Sequence, residues 1–420
     1  MNRAIPELLA PAGGTEALKA AVRFGADAVY GGMRQFGLRA FAHSFSESEL
    51  TEAVKICHEH GRKFYVTLNA FLYDDILDPF LKAAMFAYNA GADAAIVSDP
   101  GAVNILRTHI PGLNLHISTQ ANTLNSAAAA VYHQLGVKRV IAGRELSLAR
   151  LRFMRENTPQ GLELETFCHG AMCMAYSGRC HLSASMAGRS ANEGACAQPC
   201  RWKYSVAEEK RPGESFPVYE DASGTYLYSA RDLNLMPLLP ELIRCKLTSV
   251  KIEGRMKSEY YVATVTAAYR RGLDAYQRGE AHFFKLLPEL MNELSKASHR
   301  EWDTGFAKAP PANGCAVGGY TQSAEYTARV LRDAEANEPA LAMLKNRFYA
   351  GDTLEVLTPE GIYPYTPSEL ILAETGQPVT THGTAGTLIL LRFPFKVGAG
   401  DFIRGPVRNH RTDASPVCRP

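Results

Sequence analysis

The sequence lacks an excess of charge of either sign. Its 45 Lys and Arg against 43 Asp and Glu leave a net charge of +2, so no strong basic field spans the surface and any nucleic-acid contact must come from local patches. No apolar run reaches the length of a membrane span. The first residues, MNRAIPELLAPAGG, hold no apolar stretch long enough for a signal peptide. A soluble cytoplasmic protein with no membrane partner is the expectation. Also missing are H-E-x-x-H and G-x-S-x-G, so nothing marks a zincin or a serine hydrolase. No G-x-G-x-x-G opens the first helix, which argues against a dinucleotide-binding Rossmann domain. The cysteines are odd in number: nine in all. In a long chain without a leader this argues against a disulfide framework.

What is present is a regular alternation. Short β-rich runs at 7–12, 27–32, 63–71, 94–99, 113–121, 138–143, 162–168 and 249–255 read as eight strands. Between them lie segments of helical spacing such as TEALKAAVRFG, SESELTEAVKICHEHG and ILDPFLKAAMFAYNAG, with Gly25, Gly61, Gly91 and Gly136 where helices should stop. GADAVYGG, GADAAIVSD and GVKRVIAGRE repeat one plan, a helix-ending glycine followed by a buried strand. Alternating β and α elements imply a parallel sheet, and eight of them suit a closed TIM-like (β/α)8 barrel over residues 1–305. An open doubly wound sheet is the alternative. Residues 169–248 break the rhythm and read as a cysteine-rich insertion after the seventh strand. The segment after the eighth strand, SEYYVATVTAAYRRGLDAYQRG, reads as a long amphipathic helix. A Gly/Pro/Ala-rich linker follows at 306–325, and 326–420 carries short β-like runs with turns AGD and PEG, a small β-barrel domain.

Two constellations carry chemistry. Five of the nine cysteines fall between 168 and 200, and Cys173, Cys180, Cys196 and Cys200 form C-x6-C-x15-C-x3-C. Soft thiolates suit iron–sulfur clusters and zinc. The wide first spacing does not match C-x2-C zinc knuckles, and Lys203 breaks the C-x3-C-x2-C run of radical-SAM enzymes. A cluster is the preferred reading and structural zinc the second. Incidental buried cysteines are the third, and Cys168 reads as a strand-end core residue. The second constellation is polar. His116, Ser118 and Gln120 alternate on the fifth strand, Glu163 and Glu165 on the seventh with His169 just beyond, and Lys251, Glu253 and Arg255 on the eighth. Period two puts each set on one face, and barrel active sites lie at the C-terminal mouth. Arg39, Asn69 and Arg144 follow other strands and could join them. A mixed mouth suits an anionic ligand held by Arg144, Lys251 and Arg255, with Glu165, His169 or Glu253 moving protons. The competing account is an ion-pair layer inside the barrel for Lys251 and Glu253, a core histidine for His116, and a surface ion pair for either arginine. RWKY (201–204) and the tail IRGPVRNHR set cations beside rings, which suits single-stranded RNA or a plain solvated patch.

ELLAPAGGTEALKAAVRFGADAVYGG, FGLRAFA, ETFCHGAMCMAYSGRCHLS, GRSANEGACAQPCRWKY and SVKIEGRMKSEYYVATVTAAYR resemble the peptidase U32 family, over nearly the whole chain. LKNRFYAGDTLEVLTPEG is similar to the C-terminal β-barrel domain of its longer members. The resemblance implies three functions: peptidase (collagenase-like), tRNA wobble-uridine hydroxylation to 5-hydroxyuridine with prephenate as precursor and no oxygen, and oxygen-independent quinone hydroxylation with a 4Fe–4S cluster. It implies Cys173, Cys180 and Cys196 as cluster ligands. The quinone branch draws its fourth ligand from elsewhere, whereas CAQPC makes Cys200 the natural fourth here. The C-terminal domain and CAQPCRWKY are similar to the tRNA branch. The expectation is therefore a tRNA hydroxylase with a 4Fe–4S cluster, a small anionic co-substrate and a family member as partner subunit. A peptidase, or a non-catalytic RNA-binding barrel with structural zinc, are the alternatives.

Overall fold

The computed structural model describes residues 4–37, 44–173, 176–202, 219–221, 224–226, 231–308 and 320–408. Each of the eight expected strands forms: β1 (Glu7–Ala12), β2 (Ala28–Gly32), β3 (Lys63–Thr67), β4 (Ala94–Val97), β5 (Asn114–Ile117), β6 (Arg139–Ile141), β7 (Glu163–Ala171) and β8 (Ser249–Ile252). They pair in parallel in that order, and β8 also pairs with both β1 and β7, so the sheet closes. The barrel is closed and not doubly wound.

The helices between them are α1 (Thr15–Arg23), α2 (Glu47–Glu59), α3 (Leu77–Asn89), α4 (Pro100–His109), α5 (Ser126–Gln134) and α6 (Leu148–Glu156). The sequence starts them by side-chain capping. Ser46 and Glu49 form a reciprocal capping box on α2, and Asp99, Asn125 and Ser147 accept from backbone N–H groups of α4, α5 and α6. Each such cap contributes about 1 kcal/mol. Gly25, Gly61, Gly91 and Gly136 stand at the exits with φ of 96°, 65°, 90° and 83°, the left-handed geometry in which glycine pays no Cβ penalty.

The barrel interior is filled in layers. At the strand starts Arg139 donates to Glu7 Oε1 (2.7 Å), Glu163 Oε2 (2.8 Å) and Glu165 Oε2 (2.9 Å). Tyr65 OH donates to Glu7 Oε2 at 2.9 Å. His116 lies edge-on to Tyr65, and burial with the cations Arg139 and Lys251 pushes its pKa well below the ordinary histidine range. Removing one partner from such a buried ion network costs about 3–5 kcal/mol.

The insertion begins where β7 ends. A short strand, Asp232–Asn234, runs antiparallel to the end of β7, and Trp302–Asp303 pairs with it. The insertion also contains α7 (Leu182–Ala187) and α8 (Leu239–Arg244). The long helix α9 (Glu259–Arg278), capped by Ser258, follows β8 and packs on α1, and α10 (Glu280–Ser295) comes next.

Two compact units divide the chain: 1–292 with 299–321, and 293–298 with 322–420. The second is an antiparallel sheet of eight strands in the order Ile362–Tyr365, Leu354–Leu357, Phe402–Gly405, Glu325–Val330, Pro339–Leu344, Leu388–Arg392, Leu370–Leu372, Pro378–Val379. Val330, Leu344, Phe348, Val356, Ile389 and Phe393 form its core. Among the described residues no helix is long and apolar enough to cross a membrane.

Candidate active site at the barrel mouth

At the C-terminal ends of the strands lies a cavity of about 450 Å³, counting its open side, lined by Tyr30, Thr67, Asn69, Phe167, Arg144, Lys251, Glu253 and Arg255 among others. The strands and the turns just past their ends place these residues. Phe167 continues the inward parity of Glu163 and Glu165, and Glu253 and Arg255 continue that of Lys251. Arg255 is buried and its Nη1 donates to Thr67 Oγ1 at the end of β3. A Cβ on Gly32 would come within 2.5 Å of that nitrogen, so the glycine makes room for the guanidinium. Arg144 donates from Nη1 to the Ala171 carbonyl at 2.8 Å and lies 4.0 Å above the Phe167 ring. Its Nη2 stands 3.7 Å from Glu253 Oε2. Tyr30 OH donates to the Ile252 carbonyl at 2.9 Å and lies 3.4 Å from Glu253 Oε2. Asn69 donates to Ser118 Oγ at 3.0 Å. Lys251 forms the floor, with Nζ 3.6 Å from Glu165 Oε1 and 4.0 Å from the Tyr30 ring centre. Burial draws its ammonium below the ordinary lysine range, outweighing the lift from Glu165 and Glu253. Three cations face one carboxylate in this cavity. That balance favours an anion, held by planar guanidinium forks.

The cysteine segment is tied to this mouth. Ser177 donates from its backbone N–H and its hydroxyl to Glu145 Oε1, at 2.8 and 3.2 Å. Thr119 donates to Ser177 Oγ at 3.4 Å. Gly178 lies so close to the Gln120 carbonyl that a Cβ would meet it at 2.0 Å. Farther along, Phe71 N–H donates to the Asn192 carbonyl at 3.0 Å and Tyr73 OH to Glu193 Oε1 at 3.3 Å. Thus Ser177 and Gly178 are anchored beside β5 and β6, and Asn192 and Glu193 beside β3.

Residues 13–315 match the model of peptidase family U32, and residues 322–404 match its C-terminal domain. The chain belongs to peptidase family U32. Its relatives include "tRNA hydroxylation protein P1" of Bacillus subtilis, 38% identical over 361 residues (84% of each chain). "tRNA hydroxylation protein P" of Escherichia coli is 33% identical over 404 residues, covering 86% of this chain and 88% of that one. A 23S rRNA 5-hydroxycytidine synthase of Escherichia coli is 34% identical over 385 residues, covering 87% of this chain and 56% of that protein.

In this U32 member the structure separates the described cysteines into two sets, with Cys315 and Cys418 outside the described residues. Cys57, Cys168 and Cys245 are buried, and burial raises all three thiols, Cys57 to about 12. Cys173 is exposed and Cys180, Cys196 and Cys200 are part-exposed. The Gln198 N–H donates to Cys196 Sγ at 3.4 Å. Accessible thiols on one loop-rich segment are a donor set with the chemistry a cluster or zinc requires. Among the described residues, however, no three His, Cys, Asp or Glu side chains stand together as a closed metal-holding group.

Several expected site residues lie elsewhere. Glu165 does not line the mouth. It is fully buried one layer below, between Arg139 and Lys251, because Phe167 occupies the mouth position on β7. His169 also misses the mouth. The β7–β8 register jumps from Lys251↔Phe167 to Ile252↔His169, a bulge at Cys168 that reverses the parity. His169 therefore packs under α9 against Tyr269, and burial pushes its pKa down to about 3. Arg39 lies outside the described residues, as do Lys203 and Tyr204 of RWKY, while Trp202 is exposed. In the tail, Arg404 is wholly buried between Glu293 (2.6 Å) and Glu355 (2.9 Å), and Arg408 binds Asp352 at 2.6 Å. Arg404 is a buried structural cation, so neither the RNA-contact nor the solvated-patch reading of the tail applies to it. Arg411 lies outside the described residues. Tyr30, Thr67, Phe167, Glu145 and Ser177 were not foreseen. Phe167 was within reach of period two, whereas the Glu145–Ser177 clamp left no local mark.

Proposed function

We propose that this U32 protein is an RNA-modifying enzyme that hydroxylates the wobble uridine of tRNA to 5-hydroxyuridine without molecular oxygen, in the cytoplasm. One observation carries the proposal: a cationic mouth and a segment of accessible thiols are fastened together at Ser177 and Asn192. The names of relatives aligned along most of the chain support it. In this account Cys173, Cys180, Cys196 and Cys200 hold a 4Fe–4S cluster, with zinc as the alternative. When bound, the cluster supplies one-electron chemistry or a Lewis-acid iron. The chain's own residues do the rest. Arg144 and Arg255 hold a small anionic co-substrate such as prephenate, and Lys251 lies below it. Glu253, between Arg144 and the Tyr30 hydroxyl, moves protons. A second family member as partner subunit is part of the same account.

The family name favours a second reading, a peptidase. The mouth offers it little: among the described residues the lining includes Ser118 and Thr119 but neither histidine nor cysteine, so a nucleophile there has no imidazole partner among them. The test is nucleoside analysis by mass spectrometry of tRNA and rRNA from a strain lacking the protein, grown without oxygen. Loss of 5-hydroxyuridine from tRNA, restored by the wild-type chain, is the expected result. Unchanged tRNA with loss of a hydroxylated rRNA base moves the substrate to rRNA. Unchanged RNA of both kinds overturns the proposal.

A further inference from the structure

Lys251 has features that an anion holder does not need. It is only 3% exposed yet lines the cavity. At 3.6 Å its contact with Glu165 is an ion pair longer than a hydrogen bond, and Tyr30 covers it at 4.0 Å with a ring, not a donor or acceptor atom. Burial draws its pKa down and so eases loss of its proton, and the deprotonated amine is a nucleophile toward carbonyl carbon. Two guanidiniums, Arg144 and Arg255, share the cavity and would take a carboxylate next to that carbon. Glu253 lies two residues beyond Lys251, just past the end of β8, with its Oε2 3.7 Å from Arg144 Nη2, placed to relay protons.

We propose that Lys251 forms an imine with a small 2-oxo acid whose carboxylate is held by Arg144 and Arg255. This rests on the mouth being the anionic co-substrate site. The neutral Nζ adds its lone pair to the keto carbon, forming a C–N bond as the C=O π bond opens. Glu253 passes the ammonium proton to the new alkoxide, giving a carbinolamine. The hydroxyl, protonated through Glu253, leaves as water, and the nitrogen lone pair closes the C=N bond. The net change is one water lost and one proton taken up from solvent into the iminium. Nothing is oxidised or reduced.

The experiment treats the anaerobically purified full-length protein with pyruvate or 2-oxoglutarate, reduces it with borohydride and maps the adduct by peptide mass spectrometry. One adduct on Lys251 is expected, absent from Lys251→Arg. Malonate, which has two carboxylates and no ketone, should suppress trapping in the wild type, so the result does not depend on the variant folding. Malonate binding by calorimetry separates the two claims. Malonate binding with no adduct overturns the imine and leaves the anion site standing. An adduct spread over other lysines and indifferent to malonate also overturns the imine. Neither binding nor adduct overturns both claims.

Discussion

At the residue scale the division between buried and accessible thiols makes a sharp prediction. Cys180→Ala should lose iron and acid-labile sulfide after anaerobic purification, whereas Cys245→Ala, in the core, should retain both. Equal iron in the two variants would remove the cluster from this segment. His169 predicts a pH dependence. Its folded pKa, about 3, lies below the ordinary histidine value of about 6.5. The unfolded chain therefore takes up the proton first as pH falls. The contribution of His169 is fully present above about pH 6.5 and declines by up to about 1.4 kcal/mol per pH unit as pH drops toward 3. The stability gap between wild type and His169→Gln, measured by urea unfolding, should narrow from pH 7 to pH 4. A constant gap would place the ring in contact with solvent. The same residue marks a limit of sequence reading. Alternation runs unbroken through Glu165, Phe167 and His169, and only pairing with β8 reveals the bulge at Cys168. Lys251, Glu253 and Arg255 were legible because no bulge intervenes before the mouth.

At the element scale the barrel was legible strand by strand. Each strand is a short run rich in buried residues, each of α1 to α6 has its own cap or terminating glycine, and eight such units admit few architectures. The docking of the cysteine segment was not legible. It depends on Glu145 meeting Ser177, an ordinary acid after β6 and an ordinary serine between two cysteines. Removing that charge should loosen the segment without disturbing the barrel. Glu145→Gln is expected to speed proteolytic cleavage within 172–202 while leaving the cooperative thermal transition within a few degrees of wild type. Hydrogen bonds to charged groups contribute roughly 1.5–3 kcal/mol, so local opening should rise by about tenfold or more. Unchanged cleavage would show that the Asn192 and Glu193 contacts alone hold the segment.

At the scale of the whole molecule, the near-neutral charge implies that any RNA contact rests on local patches, but the sequence could not say which arginines are buried in the fold. Arg404 looked like part of a basic tail and is instead buried in a network with Glu293, Lys296 and Glu355 inside the C-terminal unit. Arg404→Ala should therefore lower stability by about 3–5 kcal/mol, read as a shift in the thermal transition of the C-terminal unit. A variant as stable as wild type would show that the network contributes little. The alternation of strands and helices named the catalytic scaffold, and the β-rich composition after 321 named the second domain. Long-range salt bridges set the rest. The central claim is that tRNA hydroxylation takes place at the barrel mouth with the cysteine segment over it. The most direct measurement is 5-hydroxyuridine in tRNA from an oxygen-free deletion strain complemented with wild type, Arg255→Ala or Cys180→Ala. The account predicts restoration by wild type alone, with both variants present as folded protein at wild-type levels. Full restoration by either variant would contradict it.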